Sequence, residues 1–250
     1  MTISTELGVV IPTLGRRSDW FRDAVLSIKN SDVYIIAVAP RGVSLDKDLV
    51  QQMVWRDKLS NDVVGSINAG VSAMPTSVRF VTWLNDDDKL RERALDFGRQ
   101  TLKNAPKSPF VYGCCTYTDA SLNPLWRNRF GQIANLLLPY GPDLIPQPGT
   151  LIRRSMWEQI GGLDEEVQLA FDLDLFLRLR KLGKPVFDQR IESLVRWHPD
   201  AKSNHSRHHQ VREAEHVRLK DNRGISRLIT RLFAPLVRRV VLRAPRILLE

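Results

Sequence analysis

Apolar and polar positions alternate between a strand-like and a helix-like period along this chain. LGVVIPT, ending at Thr13, is a short β-rich apolar run closed by a proline and the glycine turn LGRR. Ser18 is placed to cap a helix whose apolar positions, Phe21, Ala24, Val25 and Ile28, share one face. VYIIAVA then has the length and continuity of a buried strand, closed by Pro40 and Gly42. A helical or irregular stretch is expected to about Lys58, and a helix over 63–74, where Val64, Ile67 and Val71 recur. VRFVTWL, ending at Leu84, predicts a third strand that runs straight into Asn85-Asp86-Asp87-Asp88. Leu90, Ala94 and Phe97 mark the next helix, and PFVYGCCTYT a fourth strand. This alternation predicts an α/β domain with a mainly parallel sheet flanked by helices. Such sheets bind ligands outside the carboxyl ends of their strands, near a switch in strand order. The loops after Thr13 and Leu84 are therefore the first places to look for chemistry.

Three consecutive carboxylates repel one another, so a fold that gathers them gains from a cation. Hard divalent ions such as Mg²⁺ or Mn²⁺ prefer such oxygen donors and keep positions open for phosphate oxygens. A solvated acidic turn capping the next helix is the other reading of Asp86, Asp87 and Asp88. LAFDLDLFLRLRKLG, from Leu169 to Gly183, predicts a second informative helix with Leu173, Phe176, Leu177 and Leu182 on its apolar face and Gly183 at its end. Asp174 and Arg178 are spaced for an i,i+4 ion pair. Asp172 has no such partner, and a carboxylate at the mouth of a cleft is a candidate general base.

Composition narrows the function classes. The chain has 250 residues, 43% of them hydrophobic, which is enough for a sizeable core. No apolar stretch approaches the ~18–20 residues of a membrane span, and the N-terminus lacks the basic-then-apolar pattern of a secretory signal. The two cysteines, Cys114 and Cys115, are adjacent, which excludes a disulfide framework and predicts buried thiols in a reducing cytoplasm. The net charge of +9 sits almost wholly in the tail. Residues 1–200 carry 25 basic against 24 acidic side chains, and residues 201–250 carry 12 against 4. All five histidines also fall late, at His198, His205, His208, His209 and His216. The expected organisation is a near-neutral domain over 1–200 and a basic helical extension over 201–250.

Between Ile225 and Val241 the apolar residues Ile225, Leu228, Ile229, Leu232, Phe233, Leu236, Val237, Val240 and Val241 recur at i, i+3, i+4, with Arg227, Arg231, Arg238 and Arg239 beside them. Pro235 and Pro245 are expected to break this into two short amphipathic pieces. The pattern, read over residues 225–248, fits a helix lying on an anionic membrane surface, which would make the protein peripheral on the inner face of the cell membrane. Packing on the chain's own body, or on a second copy in a homodimer, is the alternative.

These segments together resemble the family 2 inverting glycosyltransferases of the GT-A fold, over about Gly8 to His198. VVIPT is similar to the family's first strand and nucleotide loop. VGSINAGVSA followed by FVTWLNDDD is similar to its helix with Asn-x-Gly and its metal-binding Asp-x-Asp segment. QPGTLIRRSMWEQIGGLDE, from Gln147 to Glu165, resembles the acceptor-side segment, with Leu163 where Phe is usual. FDLDLFLRL matches the segment that carries the catalytic base, and Arg196-Trp197-His198 the late Arg-x-His. The resemblance implies a sugar moved from a nucleotide-diphosphate donor to an acceptor hydroxyl of a glycan or a lipid-linked cell-envelope molecule. It implies Asp172 as base, Mn²⁺ or Mg²⁺ held by Asp86, Asp87, Asp88 and His198, and nucleotide contacts from Thr13, Arg16, Asn68 and Asp86. Three departures stand out. AVAPRGV has no carboxylate where one usually meets the donor's base. The metal motif can start at Asn85 or at Asp86. Phe171 replaces the Glu that usually precedes the base.

Two other classes share some of these features. A metal-dependent sugar nucleotidyltransferase has the acidic cluster and the α/β plan, but usually a Gly- and basic-rich phosphate loop of which LGRR is a faint echo. A nucleic-acid-binding protein accounts for the basic tail, but would interleave basic and aromatic residues across a body that is here near neutral.

Overall fold

The computed structural model describes residues 5–56, 62–198 and 207–248; the expected end near Lys58, and His205, lie outside them. In chain order the strands are β1 (Leu7–Pro12), β2 (Val33–Ala39), β3 (Gln52–Trp55), β4 (Phe80–Trp83), β5 (Lys89–Leu90), β6 (Phe110–Thr118), β7 (Pro124–Asn128), β8 (Leu151–Arg153) and β9 (Val186–Arg196). The helices are α1 (Ser18–Ile28), α2 (Val63–Ser72), α3 (Ala94–Asn104), α4 (Gly131–Leu137), α5 (Arg154–Gln159), α6 (Phe171–Arg180), α7 (Arg207–Asp221) and α8 (Gly224–Leu248).

One curled sheet runs in the order β3-β2-β1-β4-β8-β6-β9-β5, with β7 paired to β6. Its first four strands are parallel. Its second half is mixed: β8 is antiparallel to both β4 and β6, β5 is antiparallel to β9, and β6 and β9 are parallel. The wholly parallel part is therefore the N-terminal half. Every residue of β1 is buried, as expected of a parallel strand covered on both faces. The period of two sorts its side chains. Val10, with Ile36 and Val38 of β2, packs against Val64, Ile67 and Val71 of α2. Leu7, Val9 and Ile11, with Ile35 and Ala37, pack against Phe21, Ala24, Val25 and Ile28 of α1. Gly70 lets α2 approach the sheet closely, since a Cβ there would sit 2.5 Å from a Val10 methyl.

Several details differ from expectation. β3 occupies part of the stretch read as helical or irregular; its residues are only half-buried, so no clear apolar period marks it. Leu90 belongs to β5, held by β9, and the following helix starts at Ala94. Ser18 is the first residue of α1 and makes no capping bond. Gly183 does not have the left-handed backbone of a helix-ending glycine; a Cβ there would collide with the carbonyl oxygen of Lys107. α8 continues through both Pro235 and Pro245 as a single helix of 25 residues.

Strand order reverses at β1, whose neighbours are β2 on one side and β4 on the other. The crevice at the carboxyl ends of β1 and β4 is therefore the switch point of the sheet. Thr13 and Asn85–Asp88 lie there.

Candidate active site

Thr13 bridges the switch point. Its buried Oγ1 donates to Asp86 Oδ2 at 2.5 Å and accepts from the amide of Gly15 at 3.0 Å. The Asp86 carboxyl is pushed up to about 6, first by burial and further by the charge of Asp87, against the opposing bond from Thr13 and the nearby Arg17. Arg17 lies over the Trp20 ring at 4.4 Å, whereas Arg16 is exposed in the same loop. Asp88 is 3% exposed and accepts from the Arg196 amide at 3.2 Å and from Asn85 Nδ2 at 3.1 Å. Burial, with Asp87 beside it, holds its carboxyl well above the usual range. Asp87 Oδ2 lies 3.0 Å from Nε2 of the buried His198, whose ring meets Trp20 edge-on at 5.0 Å.

Arg196 ties this loop down. Its Nη1 donates to the Asp87 carbonyl at 2.9 Å, its Nη2 to Asp23 Oδ2 at 2.6 Å, and its guanidinium lies over Trp20 at 4.9 Å. One buried cation thus offsets part of the charge of the cluster. The donor set, three carboxylates and an imidazole, suits a hard divalent ion. In this structure the three side chains diverge, to Thr13, to His198 and to the Arg196 amide. Among the described residues, no three His, Cys, Asp or Glu groups converge on one point.

Asn68 serves a different place. Its side chain bonds both the amide and the carbonyl of Leu163, each at 3.0 Å, and reaches Glu165. That staple holds the turn after α5, where Gly161 and Gly162 adopt φ of +78° and +74°. Only glycine takes two such positions in succession without strain.

Asp172 sits in the first turn of α6, where its Oδ1 accepts from the Leu173 amide at 2.9 Å. No side chain within α6 caps its start. Glu213 of α7 does so instead, accepting from the amides of Gln168, Leu169 and Ala170 at 3.1, 2.6 and 2.7 Å. Asp174 is held apart by its ion pair with Arg178, 2.6 Å long, while Arg178 also bonds the carbonyls of Ile160 and Gly162.

Asp172 and Asp88 line the same cavity, of about 350 Å³, together with Asn85, Cys115, Asp143, Gln147 and Arg218. Its far wall is formed by the C-terminal helices, through Val211 and Ala214 of α7 and Ala234 and Val237 of α8. Burial raises the Asp172 carboxyl, and the Arg218 cation works against that rise. Asp143 is pushed up to about 8, by burial first and then by Asp172. Both cysteines are buried free thiols, and burial moves Cys115 up to about 12.

Asp143, Arg218 and Glu213 were not legible as site residues. Asp143 lies in a proline-rich loop, YGPDLIPQPG, and the other two lie in a helix of low amphipathicity, so no local pattern marks them. Asp143 gives a pH test. A carboxyl raised in the folded state contributes stability that is complete below its ordinary value of 3.8 and is lost as pH climbs through about 8. Asp143→Asn should therefore remove part of the alkaline loss of stability. The melting temperature of the variant should gain on wild type as pH passes 8, and parallel curves would show that Asp143 does not titrate there.

No protein-family model and no curated protein sequence matches the chain. Solved structures do. S. aureus TarS 1-349 in complex with UDP-GlcNAc is similar with a TM-score of 0.69 and 10% identity, over 94% of this chain and 72% of that one. The mannosyltransferase PcManGT from Pyrobaculum calidifontis, in complex with GDP-Man and Mn2+, is similar with a TM-score of 0.66 and 12% identity, over 98% and 74%. The chain has a glycosyltransferase fold. The likeness spans nearly all of this chain, so it includes the C-terminal helices as well as the sheet. Among the described residues, no helix of this glycosyltransferase-fold protein is long and apolar enough to cross a membrane.

Proposed function

We propose that the chain is an inverting GT-A glycosyltransferase that moves a sugar from a nucleotide-diphosphate donor to an acceptor hydroxyl. The observation that carries this reading is the shared cavity, with Asp88 at the strand-end side and Asp172 at the start of α6. Donors of two different bases, UDP-GlcNAc and GDP-Man, are bound by proteins of this fold. Thr13, Arg16 and Arg17, at the switch point, are assigned to the nucleotide and diphosphate. Asn68 is assigned instead to holding the Leu163 turn. An acceptor hydroxyl is a poor nucleophile until its proton is removed, and Asp172 takes that proton as the hydroxyl attacks the anomeric carbon. The carbon–oxygen bond to the diphosphate breaks on the opposite face, so a single displacement inverts the centre without an enzyme nucleophile. The burial that raises Asp172 makes it a stronger base than an ordinary aspartate.

Asp86, Asp87, Asp88 and His198 are the residues assigned to a Mn²⁺ or Mg²⁺ ion. Bound there, such an ion neutralises the charge that develops on the departing diphosphate. Burial first, and then the charge of Asp87, raises the Asp86 and Asp88 carboxyls, and a cation bound among these carboxylates would offset their mutual repulsion. Asp86 sets a pH dependence. In the metal-free protein its stabilising contribution is complete below 3.8 and is lost as pH rises through about 6. A cation competes with that proton. The rise in melting temperature caused by Mn²⁺ with a nucleoside diphosphate should therefore be small near pH 5 and grow toward about pH 7. A screen of UDP, GDP, dTDP and their sugars with Mn²⁺, read by thermal shift and by release of nucleoside diphosphate, tests the whole reading. Absence of any stabilising nucleotide, with or without metal, would reject it.

A further inference from the structure

α8 presents two opposed apolar faces. Thr230, Ala234, Val237 and Val241 turn inward onto the cavity. Ile225, Leu228, Leu232, Leu236 and Val240 recur at i, i+3 and i+4 on the outer side, and between 50% and 79% of each is exposed. The sequence period runs these two sets together, and the structure separates them. Leu136 and Ile133 of α4 are also exposed, by 73% and 46%. α4 leads into the loop that is joined to α8, because Asn222 Nδ2 donates to the Pro139 carbonyl at 3.0 Å and Tyr140 Oη to Ser226 Oγ at 3.3 Å. A continuous row of exposed apolar side chains along one helix marks a site of contact with something else.

The charge beside it identifies the partner. Between Asn222 and Leu249 the sequence has seven arginines and no acidic residue. Arg223, Arg227, Arg231 and Arg239 are all exposed. Two copies of this helix laid face to face would bring arginines together with no carboxylate on either helix to offset them. An anionic lipid surface offers both things the helix lacks, an apolar layer for the leucines and phosphate for the arginines. We infer that α8 is a membrane-surface docking helix, lying flat with its Ile225–Val240 side in the interface of an anionic bilayer. The same helix walls the cavity, so docking sets the cavity against the lipid surface. The inference rests on α8 alone and does not require the glycosyltransferase reading.

The test uses the full chain, because removing α8 would also strip a wall from the cavity. Vesicles of phosphatidylcholine containing about 30% phosphatidylglycerol should carry the protein upward in flotation, and pure phosphatidylcholine vesicles should carry much less. Leu232→Glu with Leu236→Glu should abolish flotation. Arg227→Ala with Arg231→Ala should weaken it roughly 30-fold, about fivefold per arginine. All four side chains are exposed, so melting temperature and far-ultraviolet circular dichroism should be unchanged, confirming folded variants. Equal binding of wild type and the leucine double variant overturns the inference, and so does equal binding to charged and uncharged vesicles. A wild-type dimer that becomes monomeric in the leucine variant, with no vesicle binding by either, would assign the face to a second copy and overturn it too. A reaction that proceeds with soluble acceptors while flotation fails would leave the catalytic reading standing and reject this one.

Discussion

Asp172→Asn is expected to reduce transfer by ~10²–10⁴ while leaving donor binding intact, the loss typical of removing a general base. The substitution keeps the shape of the side chain and an oxygen for the Leu173 amide, so α6 should start as before. Its start is in any case held by Glu213 through three amides just before Asp172. What the substitution removes is the ability to accept a proton at the cavity wall. Because the Asp172 carboxyl is raised by burial, wild-type turnover should fall on the acid side as this group takes up a proton, and Asn should lack that limb. Initial rates at saturating donor, paired with donor affinity by calorimetry, make the check. Turnover within a few-fold of wild type would remove Asp172 from the mechanism.

The parts of the fold that were legible are those where burial acts on both faces of an element. β1 and β2 are continuous apolar runs because helices cover both sides of the parallel half of the sheet. α1 shows its inward face as Phe21, Ala24, Val25 and Ile28 because its other side is solvated. Elements held by a distant partner leave no such trace. β5 is two residues long and exists only because β9 pairs with it. β3 lies at the edge of the sheet and is half-buried, so its side chains need not alternate. Pro235 misled for the opposite reason: a proline removes one helical bond, and packing of α8 on the cavity side outweighs that loss.

The candidate site divides in the same way. Asp86–Asp88 stood out because like charges at a strand end are locally anomalous, and Asp172 because it opens a helix without the ion pair that accounts for Asp174, a helix the structure buries on nearly all sides. What surrounds them came from far along the chain. Arg196 reaches Asp87 and Asp23 across more than a hundred positions, and Arg218 and Glu213 approach α6 from α7. A carboxylate cluster is visible in one segment, but the charge that makes it tolerable is a property of the folded molecule. The basic tail illustrates the same point. Its first helix supplies the cap of α6 and its second a wall of the cavity, roles that a charge count does not contain.

Asp87→Ala is expected to weaken metal-dependent nucleotide binding by more than ~100-fold, beyond the 10–100-fold that follows loss of an outer partner of a metal site. Asp87 is the member of the cluster best suited to this test. Its side chain is 25% exposed and its carboxylate contacts His198, whereas Asp88 also satisfies the buried amide of Arg196. Removing Asp88 would leave that N–H without an acceptor, at a cost of about 1–3 kcal/mol that would confuse stability with binding. Arg196 bonds the backbone carbonyl of Asp87 rather than its side chain, so the loop keeps this anchor in the alanine variant. The melting temperature without metal should therefore change little, because the buried His198 Nε2 loses its Asp87 partner while a repulsive carboxylate beside Asp86 and Asp88 is removed. Titration of a nucleoside diphosphate with Mn²⁺ present and then chelated separates the two contributions. Wild type should lose most of its affinity on chelation, and the variant should have little left to lose. If the variant binds nucleotide as tightly as wild type and responds to chelation in the same way, the three aspartates form only a charged turn at the end of β4, and the metal-assisted departure of the diphosphate must be abandoned.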